Sequence, residues 1–315
     1  MSATGPAVSG FRQFTVAGAD GVPLAVFESR PPARADGAEP PTLVLVNGLG
    51  GNLSTWEHVV AAFAQTHRIA SWDCRGLYAS RFSEADRARV RDGTLRLDVT
   101  AHAADAVAVL DALGVTRGVF IGWSMGVQLN FELWRHVAPR IAAFVQICGA
   151  PGRVLQTTVL GGIGKTVILP AMELFRQAAD RHAPWLGRVA SSPLAFGLAK
   201  MAGLVAPTLD EGLAARIVRD YMHLDFEVYN RILASLEDYD ATTFLGEVTC
   251  PALIIAGTRD PMTPVPLARR MAELMPASEI EILHGGSHYV PVELPEPLIA
   301  RLRAFLAQRV PEIAT

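Results

Sequence analysis

The sequence predicts an α/β fold: a mainly parallel eight-stranded sheet flanked by helices, with a helical segment inserted before the last two strands. Three observations carry this expectation. Short apolar, β-rich runs alternate with segments of helical period, the pattern of a parallel sheet wrapped by helices. Those runs are apolar at successive positions, as strands covered on both faces require. The alternation then breaks once, over 150–245, where helical patterns follow one another and no strand-like run stands out.

Each element has its own local justification. Two runs near 11–17 and 22–29 are joined by Gly18-Ala19-Asp20-Gly21, a hairpin signal that gives the sheet an antiparallel edge. A Pro/Gly/Ala-rich connector over 31–41 reads as an exposed loop. The run TLVLVNG (42–48) is a buried strand, followed by the helix STWEHVVAAFAQT (54–66), with Ser54 as N-cap and Glu57 at the capping-box position. Strand RIASWD (68–73) leads into a charged loop, then helix 99–113, strand 118–123, helix 125–137 and strand 141–149. After the insertion come strand 252–257, helix 264–275, strand 279–283 and helix 295–310. Residues 1–149 and 246–315 are therefore expected to form the core, and 150–245 a helical cap or lid.

Composition narrows the function. The formal net charge is only −3, which lacks the basic excess that nucleic-acid binding requires. Cys74, Cys148 and Cys250 are odd in number and scattered, so neither a disulfide framework nor a metal-ligand spacing is expected. The opening residues carry no charged segment followed by an apolar run, and the expected location is cytoplasmic. Two apolar stretches, 154–175 and 189–207, approach the length of a membrane span. Each holds a central lysine, at a cost of about 2.5–3.5 kcal/mol in mid-bilayer, so an apolar lid is expected instead of an integral membrane segment.

The chemistry concentrates at Gly122-Trp123-Ser124-Met125-Gly126. A strand precedes this pentapeptide and a helix follows it with no loop between, so the turn must be sharp and its flanking residues small. Gly122 and Gly126 meet that demand, and the Ser124 hydroxyl is then raised above the sheet beside a helix N-terminus. A plain serine N-cap is the alternative. A nucleophilic serine needs a base and a group to orient the base, in the order serine, acid, histidine. Asp260 stands just past strand 252–257, where an Asp-Pro turn would also explain it. His288 stands in the loop after strand 279–283, with His284 as a competing base. The glycines at 285 and 286 argue against a helical His284/His288 metal pair.

With these residues in place, the chain resembles the α/β-hydrolase fold family from its first hairpin to its last helix. The stretches that carry the resemblance are VNGLGG, WDCRGLYAS, GWSMG, AGTRDPMTP and GGSHYVPVELPE. The resemblance implies Ser124 as nucleophile, His288 as base and then acid, and Asp260 as its orienting partner. It further implies an oxyanion hole from the backbone N–H groups of Leu49 and Met125, and no cofactor. Two positions depart from the family pattern: Asn47 replaces the usual histidine before Gly48, and Val127 replaces a second glycine after the elbow. A serine at 124 also sets the chain apart from cousins that need aspartate there, the haloalkane dehalogenases and epoxide hydrolases. The stretch VLGGIGKT (159–166) is similar to a phosphate-binding loop, but Val159 stands where the first glycine belongs. The expected partner is a small ester or lactone, apolar if the insertion's Leu, Val, Ala, Met and Phe line the pocket. If those residues form the insertion's own core, they carry no such information. The apolar insertion also offers a surface for self-association.

Overall fold

The computed structural model describes residues 10–33, 37, 39–153, 188–201 and 205–314. Eight strands form one sheet: β1 (Arg12–Ala17), β2 (Pro23–Ser29), β3 (Thr42–Val46), β4 (Arg68–Trp72), β5 (Gly118–Trp123), β6 (Ile141–Ile147), β7 (Ala252–Gly257) and β8 (Ser278–Leu283). Their spatial order is β1-β2-β4-β3-β5-β6-β7-β8. β2 runs antiparallel to both of its neighbours, and every pairing from β4 to β8 is parallel. The expected sheet and its antiparallel edge are both present.

Strands β2 to β7 are buried on both faces because successive side chains enter two different cores, while the edge strands β1 and β8 stay partly exposed. Val44, Val46, Phe120, Phe144 and Ile254 belong to one apolar cluster. Leu43, Leu45, Val119, Ile121, Val145, Leu253 and Ile255 belong to the other. The first is closed by α3 (Val99–Ala112) and α4 (Met125–Val137), the second by α1 (Glu57–Phe63) and the C-terminal helix Pro295–Arg309. Phe120, Phe131 and Phe144 meet edge to face in the first core, with ring centroids 6.3–6.5 Å apart. Such contacts add to what area burial alone contributes.

Two local expectations are corrected. Ser54 does not cap α1: it is buried inside a 3₁₀ turn, Leu53–Trp56, and the side chain of Asn52 accepts from the Ser54 amide instead. The charged loop after β4 contains a helix, α2 (Glu84–Arg91), started by a Ser83/Asp86 capping box. It buries only Val90, so it has no apolar stripe to betray it.

Between β6 and β7 the described residues form α5 (Pro193–Met201), α6 (Glu211–Tyr221) and α7 (Phe226–Ser235), with no strand among them. A single antiparallel bridge, Gly152 to Asp240, ties the two ends of this stretch. The apolar stretch 154–175 and the glycine-rich 159–166 lie outside the described residues. Within 189–207, α5 leaves Leu194, Leu198 and Met201 exposed. Among the described residues no helix is long and apolar enough to cross a membrane. After β7 the chain adds α8 (Val265–Leu274), a single turn α9 (Val290–Glu293) and the last helix, α10 (Pro295–Arg309).

Candidate active site

Parallel pairing brings the ends of β5, β6, β7 and β8 to one rim, and Ser124, Asp260 and His288 all lie just beyond that rim. Ser124 sits at φ 56, ψ −118, a conformation that costs a non-glycine residue about 1–3 kcal/mol. The two flanking glycines allow it. A Cβ on Gly122 would lie 2.6 Å from the Gly126 carbonyl oxygen, and one on Gly126 would lie 2.2 Å from that of Val46. Strand, turn and helix are packed backbone to backbone. Ser124 also makes no capping hydrogen bond to α4 with its side chain, so the N-cap alternative lacks its defining contact.

The Ser124 hydroxyl lies 2.8 Å from His288 Nε2, and His288 Nδ1 lies 2.9 Å from Asp260 Oδ2. Asp260 accepts from the Met262 and Thr263 amides at Oδ1, and from the Thr263 hydroxyl and His288 at Oδ2. Burial pushes the Asp260 pKa up. The hydrogen bond and charge of His288, with the hydrogen bonds from the Thr263 hydroxyl and amide, outweigh burial and hold it below the usual carboxylate value. An ionised carboxylate only accepts, so Nδ1 must carry the proton and Nε2 presents its lone pair to the serine. His284, the competing base, is exposed and takes no part.

The loops carrying acid and base are joined directly. Arg259 donates its amide to the Gly286 carbonyl at 2.9 Å, and the Gly285 amide donates to Thr258 Oγ1 at 2.9 Å. Below His288, the buried Glu293 carboxylate accepts both the amide (2.8 Å) and the hydroxyl (2.6 Å) of Ser287. Trp123 donates its indole N–H to the His288 carbonyl at 2.7 Å, and its ring lies 5.6 Å from the imidazole. The residue just before Ser124 therefore holds the loop that carries His288. Nothing in the spacing of the chain pairs residues 123 and 288.

The Trp123 ring is also covered by the loop after β3. Cβ atoms on Gly48 and Gly51 would fall 2.7 and 2.9 Å from it, and one on Gly48 would lie 3.0 Å from Ser124 Cβ. Leu49 thus follows a residue in contact with Ser124, while Met125 is the first residue of α4, where an N–H has no acceptor within its helix. Asn47 turns away from this space. It donates to the Trp72 carbonyl at 2.7 Å and accepts from Trp56 Nε1 at 2.8 Å, tying the ends of β3 and β4 to the turn before α1. Val127 is fully buried against Gly149 at the end of β6, where a Cβ would lie 2.2 Å from Val127 Cγ2. The glycine absent from position 127 is matched by one two residues past the end of β6.

Known proteins share this architecture. The family model described as Alpha/beta hydrolase family matches residues 43–301. RutD of Agrobacterium fabrum is 26% identical over 278 residues, covering 85% of this chain and 94% of its own. The 3-oxoadipate enol-lactonase 2 of Acinetobacter baylyi is 26% identical over 262 residues, covering 82% and 86%. The esterase RhEst1 from Rhodococcus sp. ECU1013 superposes with a TM-score of 0.68 at 22% identity, covering 95% of this chain and 99% of that one, which speaks to the fold. From sheet order, elbow and sequence match together, the chain belongs to the alpha/beta hydrolase family.

Proposed function

We propose that this chain is a serine hydrolase acting on a small carboxylic ester or lactone through an acyl-enzyme. One observation carries the reading: the Ser124 hydroxyl, the His288 imidazole and the Asp260 carboxylate are linked in series at 2.8 and 2.9 Å, on a strained turn. In the proposed cycle His288 Nε2 takes the hydroxyl proton as Ser124 Oγ attacks the carbonyl carbon. The oxygen that gains charge is received by the amides of Leu49 and Met125, one such donor being worth about 3–4 kcal/mol of transition-state stabilisation. His288 then gives its proton to the leaving alkoxide, and water repeats the sequence on the acyl group. The enol-lactonase relative supports including a cyclic ester among the substrates. Residues 150–245 act as the cap over a core of 1–149 and 246–315, a division supported by the way α6 reaches the loop beside Ser124.

A fluorophosphonate probe together with p-nitrophenyl esters of graded length, lactones and acyl thioesters tests the reading. Wild-type protein is expected to be labelled and to hydrolyse an ester or lactone, and Ser124→Ala to lose both. A wild-type protein that takes no label and turns over none of the panel would leave a ligand-binding role in place of the enzyme.

A further inference from the structure

The loop after β3 reads Gly48-Leu49-Gly50-Gly51, and three glycines in four residues make it the most permissive backbone near Ser124. A donor amide acts on a developing charge only if it is already in place, to within about 0.5 Å. Something outside the loop must therefore hold it, and two tyrosines distant in sequence do so.

Tyr78, in the segment after β4, donates its hydroxyl to the Gly50 carbonyl at 2.5 Å. Tyr221, the last residue of α6, lays its ring against the same residue. A Cβ on Gly50 would lie 2.4 Å from Tyr221 Cε2 and 3.1 Å from its hydroxyl, and Gly50 itself has φ +73. The preceding residue of α6, Asp220, accepts from Asn52 Nδ2 at 3.1 Å. Burial, with the nearby Asp220 and Asp73 carboxylates, holds the Tyr78 pKa well above its ordinary value, so its hydroxyl keeps the proton it donates. Tyr221 packs in turn against Tyr229 on α7, their rings 5.4 Å apart and edge to face.

We propose that Tyr78 and Tyr221 are positioning residues that clamp Gly50 and so fix the Leu49 N–H toward the oxygen of a substrate carbonyl held at Ser124. The inference rests on the serine-hydrolase reading above and adds that α6 helps to set the oxyanion site as well as covering it. Neither tyrosine touches the reacting atoms. Their effect belongs to the transition state, where the oxygen carries charge, more than to the bound substrate.

The test compares wild type, Tyr78→Phe, Tyr221→Ala and Tyr221→Phe on a short p-nitrophenyl ester. A trifluoromethyl ketone, whose serine adduct places an oxyanion in the site, serves as the second probe. Tyr78→Phe and Tyr221→Ala are each expected to lower kcat about 10–100-fold with little change in KM, and to weaken the ketone in proportion. Tyr221→Phe, which keeps the ring on Gly50, restores most of what Tyr221→Ala loses. Should Tyr221→Ala not fold, Tyr78→Phe alone decides, since it removes one oxygen and keeps the ring. Wild-type kcat and ketone affinity in Tyr78→Phe, or a change confined to KM, overturns the proposal. Ser124→Ala is the control that separates the two readings. If it retains hydrolysis, the nucleophile assignment fails first; if it is inactive, the tyrosine variants bear on the clamp alone.

Discussion

Asp260 accepts four hydrogen bonds, and their arrangement decides which imidazole nitrogen faces the serine. Met262 and Thr263 saturate one oxygen, and Thr263 and His288 share the other. Asp260→Asn leaves the shape intact but offers an NH2 group either to donors or to His288 Nδ1. It thereby favours the tautomer whose protonated Nε2 faces Ser124. The expected result is a fall in kcat of about 10⁴-fold with a normal thermal unfolding curve. A loss below about tenfold would show that the carboxylate is not orienting the base. The three residues Ser124, Asp260 and His288 were legible because each follows a recognisable strand and obeys a chain order. The residues around them were not. Trp123 meets His288, Asn47 meets Trp56 and Trp72, and Tyr78 meets Gly50 through contacts that no local pattern encodes. Position 47 could be singled out as a departure in sequence, but its partners required the sheet.

At the scale of elements, the segment after β4 is tied to α3 by an ion pair sealed from water. Arg75 is fully buried and grips both oxygens of the buried Asp105, at 2.6 and 2.7 Å. It also reaches Asp20 in the first hairpin and the carbonyls of Arg96 and Ala101. Removing one partner of such a pair strands the other charge away from solvent, at a cost of about 3–5 kcal/mol. Asp105→Ala is expected to lose about that much in urea unfolding, whereas the exposed Arg270–Glu273 pair contributes less than about 1 kcal/mol. Equal losses from the two would contradict the buried-pair account. A second element-scale prediction concerns α4 and β6. Gly149→Ala would place a methyl 2.2 Å from Val127 Cγ2 and 2.4 Å from Val127 Cβ. The double variant Gly149→Ala/Val127→Gly, which removes both atoms, should recover part of the stability lost, because the two side chains fill one volume. Additive losses would mean that the two side chains do not compete for that space. Strands and long helices were readable from period and caps. α2 was not, since an eight-residue helix with one buried side chain looks like a charged loop. The cap of the turn before α1 slipped by two residues because Ser54 is drawn into the core, which leaves Asn52 to serve.

For the whole molecule, two buried groups on separate elements set opposing responses to pH. Asp73, at the end of β4, has its pKa pushed up to about 7, first by burial and further by Asp220, against the one amide it accepts, from Ala79. In the unfolded chain the same carboxyl returns to about 3.9. The folded state therefore holds the extra proton between these values, and stability falls as pH rises from about 4 to 7. His102 on α3 runs the other way. Burial and the Arg75 charge lower its pKa to about 4, against the opposing pull of Asp105 and Asp98. There the unfolded chain holds the extra proton, and stability rises as pH climbs from about 4 to 6.5. Each interval corresponds to a change on the order of 3–4 kcal/mol, with slopes equal in size and opposite in sign. In the wild type they offset one another, so urea unfolding between pH 4.5 and 6.5 should reveal little of either. Substitution uncovers them. Asp73→Asn keeps an acceptor for the Ala79 amide and removes the titration, so its stability should climb with pH over this range and exceed wild type most at pH 7.5. His102→Gln should show the reverse, a decline from pH 4.5 to 7. If the three proteins gave parallel curves, the two groups would not be titrating in the fold, and the balance would have to arise from surface charges instead.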